Sequence, residues 1–165
     1  MTISRILVPT DFSPDADAAF AYALELAGSL GASVDLLHVV ENPMAAGVWS
    51  SEMYTSELVG LQINLVRDAK ERLRRCPPVI AGVRFGVSRH VRTGNPAVEI
   101  VEMAHERASD LIVMGTAGRT GLSHLLAGSV AERVVRTSPC PVMVVKRDEA
   151  YDAANKARAS AKVPA

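Results

Sequence analysis

The stretch "DLIVMGTAGRTGLSHLLAGSVAERVVRTSPCPVMVVK", Asp110 to Lys146, sets the architecture of the whole chain. It opens with the apolar run Leu111-Ile-Val-Met114, fit for a buried strand, and breaks at Gly115. A helical pattern resumes at Ser129 and continues to Arg136, and a second apolar run, Pro141 to Lys146, follows. Strand, long loop, helix and strand in that order make a βαβ unit, whose two strands lie parallel. The loop is the unusual part. Fourteen residues, Gly115 to Gly128, lead from strand to helix, and loops of that length are uncommon unless they are functional or disordered.

The same alternation extends back to the start of the chain. Ile6-Leu7-Val8 reads as a central parallel strand, and Ser13-Pro14 supplies an N-cap with proline at the first helical position. The helix that follows is expected to bury Ala18, Ala19, Tyr22, Leu26 and Leu30 and to stop at Gly31. A strand from Ser33 to Val40 comes next. A loop with Pro43, Gly47 and Trp49 then leads to a helix from about Ser51 to Arg75, with a stripe of Leu58, Leu61, Leu65, Ala69 and Leu73. Pro77-Pro78 ends it. Val83, Phe85 and Val87 alternate in a third strand, and Asn95-Pro96 opens a helix to about Arg107. The order β-α-β-α-β-α-β-α-β predicts an α/β fold, a five-stranded parallel sheet with helices on both faces. Such sheets bind ligands at the carboxyl ends of their strands, where the strand order reverses.

Composition narrows the function classes. The chain has 165 residues, 18 Lys plus Arg and 18 Asp plus Glu, so one domain with no excess charge is expected. That balance argues against a general nucleic-acid or anionic-membrane binder. No apolar window approaches a membrane span, and the short run in "MTISRILVPTDFS" is no signal peptide, so a cytoplasmic location is expected. Cys76 and Cys140, far apart, permit one disulfide but read better as a reduced pair. Asp148 to Ala165 carries no apolar periodicity and reads as a disordered tail after a domain spanning 1–147.

The long loop has the chemistry of an anion site. A helix N-terminus offers unpaired amides and a partial positive charge, and glycines permit close approach. Ser129 and Glu132 read as a capping box, and Arg119 would add a mobile cation. Neither a Walker lysine motif nor G-x-G-x-x-G is present. His38, His90, His105 and His124 have no ligand spacing; His38 is expected to pack at a strand end. Asp11 suits either a turn before Ser13-Pro14 or a ligand contact. Arg84, Arg89 and Arg92 read as a solvated edge, and Trp49 and Tyr54 as a cover over the site or as surface packing.

Gly115-x-x-Gly118, nine residues and then Gly128-Ser129 spell G-x-x-G-x9-G-[ST]. With "ILVPTDFS", "LLHVV", "GNPAVEIVEMA" and "SPCPVMVVK" in this order, the chain resembles the universal stress protein family over residues 3–147, in its ATP-binding subgroup. The resemblance implies a Rossmann-like sheet, strand order 3-2-1-4-5, with ATP, ADP or AMP lying across the carboxyl edge. Val39 would meet adenine through its backbone, and Pro9, Thr10 and Asp11 would line base and ribose. Met114 and Gly115 would touch the sugar region, and Gly118, Gly128, Ser129 and Val130 the phosphates. Asp11 would help hold Mg²⁺ through the phosphates. The family also points to a homodimer, consistent with strand Pro141–Lys146 lying at a bare sheet edge. A nucleotide-responsive regulator of the stress response, with an unidentified protein partner and no dedicated catalytic residue, is the expected function. A slow ATPase or phosphoryl or nucleotidyl transferase, and a nucleotide-free chaperone-like dimer, are the rivals.

Overall fold

A computed structural model of the chain describes residues 2–42, 55–76, 86–116 and 128–147. Nine elements alternate along it: β1 (Arg5–Pro9), α1 (Pro14–Leu30), β2 (Ser33–Val40), α2 (Thr55–Arg75), β3 (Val87–Thr93), α3 (Pro96–Glu106), β4 (Leu111–Gly115), α4 (Ser129–Thr137) and β5 (Val142–Val145). The strands form one parallel sheet in the order β3-β2-β1-β4-β5, as expected from the sequence. The chain steps from β1 toward β2 on one side and from β4 toward β5 on the other. The reversal therefore falls between β1 and β4, the position at which this architecture opens a crevice.

Alternate residues of each strand feed two cores. Ile6, Val8, Val34, Leu36 and Val113 pack with Phe20 and Leu24 of α1 and Leu73 of α2. Leu7, Leu37 and Ile112 pack with Ile100 and Met103 of α3 and Val134 of α4. Each large side chain buried this way contributes about 1.5–3 kcal/mol relative to exposure. Because both faces are covered, the central strands read as continuous apolar runs.

The caps of α1 and α3 match their sequence signals. Ser13 Oγ accepts from the Ala16 amide at 3.2 Å, and Gly31 at φ 70° closes α1 in the left-handed conformation. Asn95 Oδ1 accepts from the amides of Ala97 and Val98 at 3.1 and 3.3 Å. The expected buried stripes need correction. Tyr22 and Leu30 of α1 are 36% and 47% exposed, while Ala16, Ala19, Phe20, Ala23, Leu24 and Ala27 face the sheet. Small residues at the contact let the α1 backbone come close, which turns the bulkier Tyr22 outward. In α2, Ala69 and Leu73 are buried but Leu61 and Leu65 are exposed, so only its last turns reach the core among the described residues.

Cys76 and Cys140 carry free thiols in the structure, and burial above all raises both pKa values. β3 begins at Val87; Val83, Arg84 and Phe85 lie outside the described residues, as does the tail from Asp148. No described helix is long and apolar enough to cross a membrane.

Candidate functional site

The carboxyl edge between β1 and β4 is assembled from three short segments. The first follows β1. The Thr10 amide continues the ladder by donating to the Leu37 carbonyl at 2.8 Å, and His38 Nδ1 donates to the Thr10 carbonyl at 2.7 Å. Thr10 Oγ1 accepts from the Phe12 amide, and Asp11 Oδ1 from the Ser13 amide, each at 3.0 Å. The turn role anticipated for Asp11 is thus present, as an Asx turn that ends at the cap of α1. His38 does pack at a strand end, its ring 4.4 Å from that of Phe12. Burial first, and the neighbouring Asp11 charge second, hold the Asp17 carboxyl above its ordinary pKa, against the pull of Arg72.

The second segment ends β4. Met114 is buried, and Gly115 sits so close to α1 that a Cβ there would lie 2.9 Å from the Asp15 carbonyl carbon. Gly115 therefore has a packing reason to be glycine, which the sequence did not reveal. The Thr116 amide donates to the Val145 carbonyl at 3.1 Å and extends the pairing with β5.

The third segment begins α4. The Gly128 amide donates to the Thr116 carbonyl at 2.7 Å, so the two ends of the long loop are hydrogen-bonded to one another. Gly118, Arg119 and His124 lie between them, outside the described residues, as do Trp49 and Tyr54. The expected capping box is absent. Gly128, not Ser129, is the N-cap, no side chain caps the helix, and Ser129 is its first residue. The Glu132 amide donates to the Gly128 carbonyl at 2.9 Å, while its carboxylate turns to Arg136 at 2.8 Å. An i,i+4 ion pair has taken the acid that a capping box would use. Gly128 has φ −65° and ψ 156°, a conformation open to any residue, so backbone geometry does not demand glycine here.

The structure thus gathers Pro9, Thr10, Asp11, Met114, Gly115, Gly128, Ser129 and Val130 at one edge, with Val39 near the end of the adjacent strand β2. Sequence reasoning missed Phe12 and Arg72, whose guanidinium lies 4.1 Å from the Phe12 ring centroid. No periodicity marks a cation that far along the chain as a neighbour of Phe12. Arg89 is exposed on the edge strand β3, in line with the reading of a solvated edge, whereas Arg92 is half-buried. Arg89 Nε donates to the Leu73 carbonyl at 2.9 Å, and Arg92 pairs with Glu106 and with Glu99 of α3. Among the described residues, no three His, Cys, Asp or Glu side chains are grouped so as to hold a metal.

Residues 2–146 match the model of the universal stress protein family. Universal stress protein MJ0531 of Methanocaldococcus jannaschii is 39% identical over 150 residues, covering 87% of this chain and 82% of the relative. The solved structure of MJ0577 from the same organism superposes with a TM-score of 0.78 at 32% identity, covering 90% of this chain and 99% of the other. A universal stress protein from Archaeoglobus fulgidus, solved in complex with dAMP, shares the fold with a TM-score of 0.61 at 24% identity, covering 88% and 100%.

Proposed function

The chain belongs to the universal stress protein family, and from that premise we propose that it binds an adenine nucleotide, ATP or its ADP or AMP relatives, across the crevice between β1 and β4. The observation that carries the reading is the start of α4. This helix opens with no side-chain cap on a glycine whose backbone conformation does not require glycine. A serine or asparagine at Gly128 would cap the helix with its side chain and add roughly a few tenths of a kcal/mol. Glycine forgoes that and leaves both the first-turn amides and the space above them to a phosphate. That a fold relative holds dAMP supports an adenine nucleotide over other anions.

In this reading the phosphates lie on Gly128, Ser129 and Val130, with Gly118 as a further contact and Arg119 as an added positive charge. Met114 and Gly115 meet the sugar, Pro9, Thr10 and Asp11 line base and ribose, and the Val39 backbone meets adenine. Asp11 spends one oxygen on Ser13 and shares an Mg²⁺ ion with the phosphates and water. The protein acts as a regulator, not a fast enzyme. Occupancy biases the surface that a β5-paired homodimer presents to a protein partner. With backbone amides and little fixed charge in the site, micromolar affinity is expected, about 8 kcal/mol.

The test is to purify the protein without added nucleotide, denature it and identify the released small molecules by mass spectrometry, then titrate Mg-ATP by calorimetry. ATP or ADP near one per chain, or micromolar uptake, is the expected result. Gly128→Val should abolish uptake and keep the fold, since φ −65° suits valine. No nucleotide released and no heat on titration would sink the reading.

A further inference from the structure

We propose that Phe12 and Arg72 are positioning residues that fix the Pro9–Asp11 wall of the crevice and tie it to α2. The proposal rests on the nucleotide reading above and concerns what holds that wall in shape.

Phe12 has φ 63°, in the left-handed region. A bulky side chain there is a true outlier, and it persists only where its surroundings over-determine it. Glycine would occupy the position without strain, so the aromatic ring itself must be what the site requires. Two neighbours hold the ring. The His38 imidazole lies 4.4 Å away, tilted by 37°, and the Arg72 guanidinium is 4.1 Å from the ring centroid, well inside cation–π range. Both members of the aromatic pair also grip Thr10. His38 Nδ1 donates to its carbonyl at 2.7 Å, and the Phe12 amide donates to its hydroxyl oxygen at 3.0 Å. One residue further on, the Asp11 carboxylate is turned back onto the Ser13 amide. The ring therefore closes a short circuit, Thr10 to Phe12 to His38 and back to Thr10, and Arg72 clamps it from the last turns of α2. If the clamp is removed, the strained residue is free to leave the left-handed region. Thr10 then loses its Phe12 donor, and Asp11 loses the orientation that its Asx turn imposes.

Simple packing and positioning predict different outcomes. Packing alone would lower stability and leave the crevice unchanged. Positioning would alter ligand affinity and the environment of Thr10 and Asp11 even where stability holds. Arg72→Gln removes the cation, and Arg72→Lys restores it. Phe12→Gly removes the ring and both of its anchors and leaves position 12 free to sample many backbone conformations, and Phe12→Tyr restores the ring.

The experiment titrates each full-length variant with Mg-ATP by calorimetry, records its melting temperature, and compares ¹H–¹⁵N amide shifts without nucleotide. The expected result is affinity weaker by about fivefold or more in Arg72→Gln and Phe12→Gly. Affinity should return in Arg72→Lys and Phe12→Tyr, and the Thr10, Asp11 and Ser13 amides should move only in the first pair. Wild-type affinity in Arg72→Gln and Phe12→Gly, with those amides unmoved, overturns the positioning role while the nucleotide reading stands. If the unsubstituted chain takes up no Mg-ATP, the nucleotide reading fails and this role falls with it.

Discussion

Asp35, buried to 2% exposure near the start of β2, accepts a 2.9 Å hydrogen bond from His90 Nε2 on the neighbouring strand β3. Arg107, at the end of α3, adds Nε and Nη2 contacts at 3.3 Å each, and Arg5 Nε stands 3.9 Å away. One buried acid thus joins β1, β2, β3 and α3 at the end of the sheet opposite the crevice. The His90 and Arg107 side chains are 30% and 41% exposed, so either can turn to water if its partner is lost. The carboxylate cannot. Arg107→Ala should therefore cost about 2–3 kcal/mol, and Asp35→Asn, which keeps an acceptor, about 1 kcal/mol. Urea denaturation at neutral pH measures both, and a larger cost for Asp35→Asn would refute the asymmetry.

The end of α3 offers a stabilising change. Ala108 has φ 49° just past the helix, and the Ser109 amide donates back to the Ala104 carbonyl at 2.9 Å. This is the arrangement that glycine ordinarily terminates. Ala108 is exposed, so removing its methyl sacrifices little burial. Ala108→Gly should raise stability by about 0.5–1 kcal/mol, visible as a higher melting temperature. A lower one would show that the strain is relieved elsewhere.

Those two features mark what the sequence made legible and what it hid. Ser13-Pro14, Gly31 and Asn95-Pro96 named the helix ends because each cap depends on residues only two to four apart. The apolar runs at Ile6, Leu36 and Leu111 named the parallel strands because both faces of the sheet are covered. Tyr22 and Leu61 misled because their environment is set by distant partners, and Ser129 because a neighbouring ion pair competes for its acid. The distance between helix and sheet turned Tyr22 outward, α2 docks by its far end, and Arg136 drew Glu132 away from a capping box. The strand order alone brings the ends of β1 and β4 together at one edge of the sheet, whereas Arg72 and the packing role of Gly115 required the fold.

Acid should weaken the fold through Asp110. Its carboxylate accepts from the amide and hydroxyl of Ser4, both at 2.8 Å, and from the Arg5 amide at 3.0 Å. The Ser4 bonds first, and the Arg5 amide after them, hold its pKa below the ordinary carboxylate value. A depressed pKa contributes stability that is present above the unfolded-state value and is lost as pH falls through the folded one. Asp110→Asn should therefore destabilise at pH 7 and lose that difference as the pH drops below the ordinary carboxylate range. A gap between the two proteins that stays constant across the titration would contradict the assignment.

Gly115 and Gly128 should separate packing from ligand approach. An alanine at Gly115 places a methyl 2.9–3.0 Å from Asp15 backbone atoms, so α1 must shift, at a cost of about 1–3 kcal/mol. Gly128 has an ordinary φ and is the N-cap, so Gly128→Ser, which keeps a good capping residue there, should leave the melting temperature close to that of the parent. Equal stability in the two variants would mean that α1 yields easily and that Gly115 too is kept for a ligand.

The exposed edge gives the test of assembly. β5 pairs with β4 on one side and ends the sheet, and its Val144 is 36% exposed, with Val135 of α4 exposed to 52%. An apolar strand at an edge invites pairing, and a second copy related by a two-fold axis satisfies it without opening a chain of further contacts. Lysine is the residue with which natural sheets discourage such pairing. Val144→Lys should convert a sedimenting dimer into a monomer at micromolar concentration while keeping the far-ultraviolet circular dichroism of the parent. A parent that sediments as a monomer, or a variant that remains dimeric, would move the interface away from β5. The nucleotide site proposed above, at the strand ends and not along the sheet edge, would be untouched by that result.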